Sequence, residues 1–270
     1  MEIKLLGWVE IHHDGKTVPV MSRQARTLLA LLALAPGRAV STERLIDQLW
    51  PESELANARN ALQATVTRLR RALRAGMGDA GREDQLLRTV DGGYLLDICA
   101  ADVDAFDFTA AISTAEAIGQ SDPARGARMI TSAVQVWRGP ALDGVADAPE
   151  LRAERVRLEE HRTTALELLA GMRLSAGELR SAICDLSHLV EIHQEREHLN
   201  ELLMVALYLD GRQTEALDVF RRVRNRLRHE LGVEPSLRLR HMHQAILTHD
   251  PKLLRRQSAL NSLSVVPAVA

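Results

Sequence analysis

The sequence predicts a mainly α-helical fold with small β elements, divided into two parts, and three observations support this prediction. Ala, Leu and Arg are abundant while aromatic residues make up only 3% of the 270 residues, which is typical of helices packed through small aliphatic side chains. Alternation of apolar and polar residues, which is typical of strands, is confined to residues 2–20 and 86–96. From residue 149 onward, helical segments follow one another and share a pattern that repeats at about 34 residues.

The overall charge gives no long-range attraction to nucleic acid, because the net charge is −2. Residues 1–98 carry 13 Lys and Arg against 12 Asp and Glu, and the remaining residues carry 21 against 24. Any binding to DNA is therefore expected to depend on local clusters of basic residues.

The sequence also predicts a cytoplasmic protein with no membrane partner. Cys99 and Cys184 lack the dense spacing of a disulfide framework, which favours a reducing compartment. The N-terminus has no signal-peptide pattern, and the longest apolar run, at residues 28–36, is too short to cross a bilayer.

The N-terminal part is expected to begin with short strands over residues 2–20, which turn at residues 13–16. A helix over residues 25–35 follows, with Ser22 as its cap and Pro36-Gly37 at its end. Because leucines lie nearly all round this helix, we expect it in the core. A second helix is predicted over residues 42–49, ended by Trp50-Pro51.

A third helix, predicted over residues 54–75, has two contrasting faces. Leu62, Val66, Leu69 and Leu73, with Ala58, form one narrow apolar stripe. The opposite face carries Asn, Gln, Thr and Arg, and residues 56–75 contain no acid, although a solvated helix face normally mixes charge signs. These polar side chains are the ones that hydrogen-bond base edges and phosphates in the major groove. The alternative is an ordinary amphipathic surface helix that is rich in arginine.

A hairpin is expected next, because residues 86–90 and 94–96 flank the tight turn Asp91-Gly92-Gly93. Residues 76–84, between the third helix and the hairpin, are expected to form a flexible loop. A small sheet, three helices and a hairpin in this order predict a winged helix-turn-helix, in which the third helix and the hairpin, or wing, contact DNA.

The predicted DNA contacts fall into two groups. The side chains assigned to base reading are Asn60, Gln63, Thr67, Arg68 and Arg71. Those assigned to phosphates or to the wing are Arg23, Thr42, Asn57, Arg74, Arg88, Thr89 and Tyr94. Tyr94 has two alternatives, since its ring packs under the wing or its hydroxyl reaches a phosphate. Arg59 and Arg70 lie nearer the buried edge of the helix and are assigned to intramolecular ion pairs.

The second part, residues 99–250, is predicted to be an all-α, tetratricopeptide-like domain of helical hairpins, following a winged-helix domain over residues 1–98. Gly177 and Gly211 each begin the pattern Gly-x-x-x-x-Ala, and stacked helix pairs of this kind present a concave surface to protein partners. The predicted helices cover residues 102–119, 123–137, 150–176, 178–193, 196–210, 214–231 and 236–248. Five arginines between residues 221 and 228 form either a solvated edge or a contact for phosphate or a partner. Residues 251–270 are expected to form a flexible tail.

Several motifs together resemble one protein family. VSTERLIDQLWP, NALQATVTRLRRAL and RTVDGGYLL stand where an OmpR-type winged helix carries its second helix, recognition helix and wing. WRGPAL, RLEEHR, GRQTEALDVFRRVRNRL and ELGVEPS are similar to segments of the bacterial transcriptional activator domain. In this order, over residues 3–247, they resemble the SARP family (antibiotic regulatory proteins) of actinobacterial transcription activators.

The resemblance implies binding to direct repeats of double-stranded DNA near a promoter, as a homodimer of side-by-side protomers. It further implies contact with the sigma or alpha subunits of RNA polymerase, control of antibiotic gene clusters, and a cytoplasmic, nucleoid-associated location. The competing interpretation is a tetratricopeptide-like scaffold whose winged helix docks a protein partner. The acid-free face favours DNA, because a protein-docking helix more often exposes apolar residues. We expect no catalytic residue and no cofactor, and the spacing of the histidines predicts no metal site.

Overall fold

The structure, a computed structural model, describes residues 1–51, 57–77 and 85–250. Its contacts divide the chain into two compact units, Met1–Ala111 with Ala133–Thr163, and Ile112–Ser132 with Thr164–Ala270. The start of the third predicted helix, most of the predicted loop at residues 76–84 and the predicted tail at residues 251–270 lie outside the described residues. The fold is mainly helical with small sheets, as predicted.

The first unit opens with a three-stranded antiparallel sheet in the order β1 (Glu2–Lys4), β2 (Glu10–His13) and β3 (Lys16–Val18). Ile11 of β2 stands opposite Ile3 on one side and Val18 on the other. All three side chains are buried, so the alternation in the sequence marks the face of the sheet that packs on the core.

Three helices follow: α1 (Arg23–Ala33), α2 (Thr42–Leu49) and α3 (Ala58–Met77). The hydroxyls of Ser22 and Ser41 cap α1 and α2 by accepting backbone N–H groups at 3.4 and 3.2 Å. α1 is buried from Ala25 to Ala33, as expected of a core helix. α3 continues to Met77, so the predicted loop begins two residues too early.

The hairpin is part of a second antiparallel sheet, in the order β4 (Ala39–Ser41), β6 (Gly93–Leu96) and β5 (Leu87–Val90). Strand β4 is absent from the sequence prediction, because three residues are too few to show alternation. Its pairing explains Gly93, where an added Cβ would overlap the carbonyl oxygen of Val40. The two glycines of the turn therefore differ, since Gly92 supplies a φ of +72° and Gly93 allows close approach of β4.

Helices α4 (Asp104–Gly119), α5 (Pro123–Val134) and α6 (Pro149–Ser175) follow. Residues 133–163 pack with the N-terminal elements in the first unit, which nothing in the sequence pattern predicts. Asp104 anchors this packing, because its buried carboxylate accepts N–H bonds from Leu5 at 2.6 Å and Leu6 at 3.3 Å and pairs with Arg138 at 3.3 Å.

The second unit is built around helix α8 (Glu197–Leu209), which packs against α7 (Leu179–Ile192), α9 (Gln213–Arg226) and α10 (Leu237–Leu247). α8 is buried over nine consecutive residues, from Leu199 to Leu207. Leu227–Leu231 extend α9 as a π-helical turn. Gly177 and Gly211 adopt φ of +80° and +79°, and the residue after each donates back into the preceding helix at 2.8 Å. These matching helix ends support the predicted repeat. Among the residues that the structure describes, no helix combines the length and apolar character needed to cross a membrane.

Candidate nucleic-acid interface

Helix α3 turns its apolar stripe inward and its polar face outward. Leu62, Val66, Leu69 and Leu73 are each at most 2% exposed and pack in the first unit, where α3 contacts α1 and α2. The five side chains assigned to base reading are all exposed: Asn60, Gln63, Thr67, Arg68 and Arg71. The helical phase read from the sequence is therefore the phase in the structure.

The exposed face of α3 offers unpaired positive charge. The guanidinium groups of Arg68 and Arg71 form no ion pair or hydrogen bond with any other residue that the structure describes. From Asn60 to Arg71 the face is about 16 Å long at the helical rise of about 1.5 Å per residue, long enough to span several base pairs of a major groove.

Thr67 has part of its bonding capacity already in use. Its hydroxyl donates to the carbonyl of Gln63 at 2.9 Å, within the helix. The oxygen can still accept a hydrogen bond, and the methyl group is free for apolar contact. Thr67 is thus suited to accept from an amino group of adenine or cytosine or to contact a thymine methyl.

The hairpin is fixed beside α3 by Arg70. This guanidinium donates to the carbonyl of Leu87 at 2.8 and 3.2 Å and to the hydroxyl of Thr89 at 3.0 Å. Arg70 is assigned from the sequence to an intramolecular ion pair, and these bonds are intramolecular, but their acceptors are an uncharged carbonyl and an uncharged hydroxyl. The tight turn of the hairpin is also bound to α2, since the N–H of Thr42 donates to the carbonyl of Gly92 at 2.9 Å.

The residues assigned to phosphates and the wing occupy different environments. Asn57, Arg74, Arg88 and Thr89 are exposed, and Arg88 forms an ion pair with Asp97 at 3.4 Å that is open to solvent. Tyr94 is only 8% exposed, so its ring packs within the unit, the first of its two alternatives. Thr42 is half-buried at the start of α2.

Two further arginines, Arg23 and Arg59, have contacts that their sequence assignments did not include or lack contacts that those assignments expected. Arg23 is exposed, but its Nε donates to the carbonyl of Val145 at 3.0 Å. Arg59 is exposed, and the intramolecular ion pair assigned to it is not formed with any residue in the described part of the chain.

The arginine-rich edge of α9 is largely engaged within the second unit. Arg221 pairs with Asp218 at 2.7 Å, and Arg224 and Arg228 share Glu234 at 3.2 and 2.6 Å. Arg226 donates to the carbonyl of Gln194. These contacts favour the interpretation of this edge as a solvated, internally paired surface.

Two arginines on the helices that α3 packs against were not singled out from the sequence, Arg44 of α2 and Arg26 of α1. Arg44 of α2 pairs with Glu150, and the hydrogen bond to Glu150 raises the pKa of Arg44 above its ordinary value. Arg26 of α1 is 9% exposed, and burial lowers its pKa. The available signal was the spacing of Arg23, Arg26 and Thr27, which places three polar side chains on one face of an otherwise apolar helix.

The sequence matches two protein families over most of its length. It matches the family described as "Transcriptional regulatory protein, C terminal" over residues 16–96. It matches the "Bacterial transcriptional activator domain" over residues 102–247.

Individual relatives span both parts of the chain. The chain is similar to the Transcriptional regulator RedD of Streptomyces coelicolor, with 41% identity over 99% of this chain and 76% of RedD. It is similar to the Regulatory protein DnrI of Streptomyces peucetius, with 34% identity over 94% of this chain and 95% of DnrI. Among solved structures, Mycobacterium tuberculosis EmbR in complex with a low affinity phosphopeptide aligns with a TM-score of 0.88 and 28% identity, covering 97% of this chain and 69% of that one.

Proposed function

Because this chain belongs to the SARP family of transcriptional activators, we propose that it binds direct repeats near a promoter and recruits RNA polymerase there. Each protomer reads one repeat by placing α3 in the major groove, and two protomers lie side by side as a homodimer on the DNA. The winged-helix domain assigned to residues 1–98 supplies these contacts, and the helical domain assigned to residues 99–250 supplies the contacts that raise transcription.

One observation carries the DNA-binding part of the proposal: the exposed face of α3 contains no acid, and its Arg68 and Arg71 form no ion pair or hydrogen bond with any other residue that the structure describes. Asn60, Gln63, Thr67, Arg68 and Arg71 read base edges, with Arg68 or Arg71 donating two hydrogen bonds to a guanine. Asn57, Arg74, Arg88 and Thr89 contact the phosphates on either side, which set the register of the helix in the groove.

The regulatory part of the proposal is supported by the relatives. RedD and DnrI, which carry both parts of this chain, are named as regulators. We propose that the sigma or alpha subunit of RNA polymerase is the protein partner, that the target genes form an antibiotic cluster, and that the protein acts in the cytoplasm on the nucleoid.

The binding mode is tested by selecting duplexes from a pool of random sequence with the full chain. The enriched duplexes are expected to share a short motif present twice in the same orientation, at a spacing near a whole number of helical turns of about 10.5 base pairs. Enrichment of inverted repeats, or of no shared motif, would contradict the proposal. Failure to retain any duplex would favour the interpretation of the winged helix as a protein-docking module.

Activation is tested separately, by transcription in vitro from a promoter that carries the selected repeats. We expect the full chain to increase the yield of transcript with purified RNA polymerase, and the Arg71→Ala variant to increase it less. An unchanged or reduced yield at saturating occupancy of the repeats would exclude recruitment.

A further inference from the structure

Residues 143–148 lie along the polar side of α1, inside the first unit. Three hydrogen bonds join them to α1: the Thr27 hydroxyl accepts from the N–H of Ala146 at 2.8 Å, and the Nε atoms of Arg23 and Arg26 donate to the carbonyls of Val145 and Gly144 at 3.0 and 2.9 Å. The three α1 side chains thereby satisfy backbone groups of a loop that lies more than a hundred residues away in sequence.

This loop leads into α6, whose first turn rests on α2. Ala148 stands just before the helix, since its carbonyl accepts from Arg152 at 2.9 Å, and its side chain has no oxygen to cap the free N–H groups. The side-chain oxygen of Gln48 accepts from the N–H of Glu150 at 2.9 Å instead. A residue of α2 therefore caps α6.

The side chain of Glu150 forms a second contact with α2. Arg44 donates its Nε to the Glu150 carboxylate at 3.1 Å and its Nη2 to the other carboxylate oxygen. At its start, α2 is bound to the wing turn through Thr42 and Gly92. α2 is thus bound to the wing at its start and to α6 through Arg44 and Gln48, and it packs against α3.

We infer that Gln48 and Glu150 are positioning residues for DNA recognition, which hold α2 and thereby set the angle at which α3 enters the groove. This inference rests on the proposed function. It assigns residues 143–150, which match the activator-domain family, a role in reading DNA. Neither side chain contacts DNA itself, so the effect of changing it appears in the preference between sequences.

The test uses Glu150→Gln and Gln48→Ala in the full chain, with Glu154→Gln as the matched control. Glu154 lies one turn further along α6 and bonds Arg157 of the same helix at 2.8 Å. Each variant is titrated with a duplex enriched by the wild-type chain and with a scrambled duplex. Urea unfolding and hydrogen exchange at the α2 amides are measured in parallel.

We expect Glu150→Gln and Gln48→Ala to lower affinity for the enriched duplex about two- to fivefold, within the range of a lost cap or exposed ion pair, and to leave the scrambled duplex unchanged. Exchange at the α2 amides is expected to rise in both variants, and Glu154→Gln is expected to match wild type.

Two results would overturn the inference. In the first, Glu150→Gln and Gln48→Ala bind both duplexes as Glu154→Gln does. In the second, they lose affinity equally for both duplexes, in proportion to a decrease in the urea midpoint of unfolding. If wild type itself fails to prefer any duplex, the proposed function fails. If, in addition, hydrogen exchange at the α2 amides is the same in the two variants as in wild type, then Gln48 and Glu150 do not hold α2, and the inference fails as well.

Discussion

At the scale of single residues, the side chains around α3 divide by whether they already have partners within the molecule. Arg70 is bound to Leu87 and Thr89 and holds the wing, whereas Arg71, the next residue along, points to solvent without an ion pair to the described part of the chain. Neighbouring residues of the same type thus have different roles because they lie about 100° apart on the helix.

Replacing Arg71 or Gln63 by alanine is expected to cost about 1–3 kcal/mol of binding free energy on the selected duplex and to relax preference at one base pair. Arg88→Ala, on the wing, is expected to weaken binding to all sequences alike and to make the salt dependence shallower. Fluorescence titration of each variant against duplexes with single base changes measures both effects. An Arg71→Ala variant with unchanged affinity and base preference would show that α3 reads DNA in a different phase.

Asp104 gives the first unit a dependence on pH. Burial raises the pKa of Asp104 above its ordinary value, and the bonds from Leu5 and Leu6 and the charge of Arg138 offset this only in part. Because the folded pKa lies above the unfolded value of about 3.9, the folded state binds the proton more tightly. The carboxyl group therefore contributes most to stability below that value, and its contribution decreases as the pH rises through the folded pKa.

Asp104→Asn isolates this contribution. The free energy of unfolding of wild type minus that of the variant is expected to decrease from about pH 4 to about pH 7, because only wild type carries the titrating group. Urea unfolding over this range provides the measurement, and Asp107→Asn on the same helix controls for the change in net charge. A difference that grows with pH would contradict a raised folded pKa.

At the scale of elements, the reading surface depends on α3 lacking acids. Ala64 lies on the exposed face among the predicted base-reading residues, so Ala64→Glu places a carboxylate opposite the DNA without disturbing the core. We expect the free energy of unfolding to change by no more than about 0.5 kcal/mol and the affinity for every duplex to fall about tenfold or more.

The control for Ala64→Glu is Ala153→Glu, which adds the same charge at an exposed position of α6. Gel-shift titration of both variants decides between a local and a global effect of charge. Equal losses in the two variants would indicate that net charge, and not the face of α3, governs binding.

The wing depends on the close approach of β4 and β6. In Gly93→Ala the new Cβ would overlap the Val40 carbonyl and lie 3.1 Å from the Cα of Ser41, and because these are backbone atoms of β4 they cannot move aside as a side chain could. We expect a loss of about 1–3 kcal/mol in the free energy of unfolding, measured in urea. Gly139→Ala, where an added Cβ meets no atom within 4 Å, is expected to change stability by less than about 0.5 kcal/mol, and equal effects would refute the steric account.

Most elements could be predicted because their ends carry local signals. Ser22, Ser41, Gly177 and Gly211 mark helix ends through capping and positive φ, which depend on residues close in sequence. Strand β4 could not be predicted, since its three residues gain their structure from pairing with β6. A local sequence pattern cannot indicate a pairing strand that lies more than fifty residues away.

At the scale of the whole molecule, the sequence predicted the winged helix but not what completes it. The three bonds from α1 to residues 144–146 and the cap that Gln48 gives to α6 span more than a hundred residues. No sequence pattern in α1 or α2 indicates that its side chains bond to residues 144–150, and none in those residues indicates the reverse. Of the candidate interface, the phase of α3 follows from periodicity alone, whereas the bonds of Arg23 and Arg70 required the three-dimensional arrangement.

The net charge of −2 over these 270 residues bears on how the protein gains affinity for DNA. A chain with a slightly negative net charge gains little from distant phosphates, so we expect its affinity to come from the contacts that α3 and the wing make at close range. Discrimination between sequences is therefore expected to account for a large share of the binding free energy.

The most direct test of the central claim, that the exposed face of α3 reads DNA, is equilibrium binding of the full chain to a selected duplex and a scrambled duplex at about 50 mM and about 200 mM salt. We expect the selected duplex to bind about a thousandfold more tightly or better, with affinity for both falling linearly on logarithmic axes as salt increases. Equal affinity for the two duplexes, or no binding to either at the lower salt concentration, would contradict the claim.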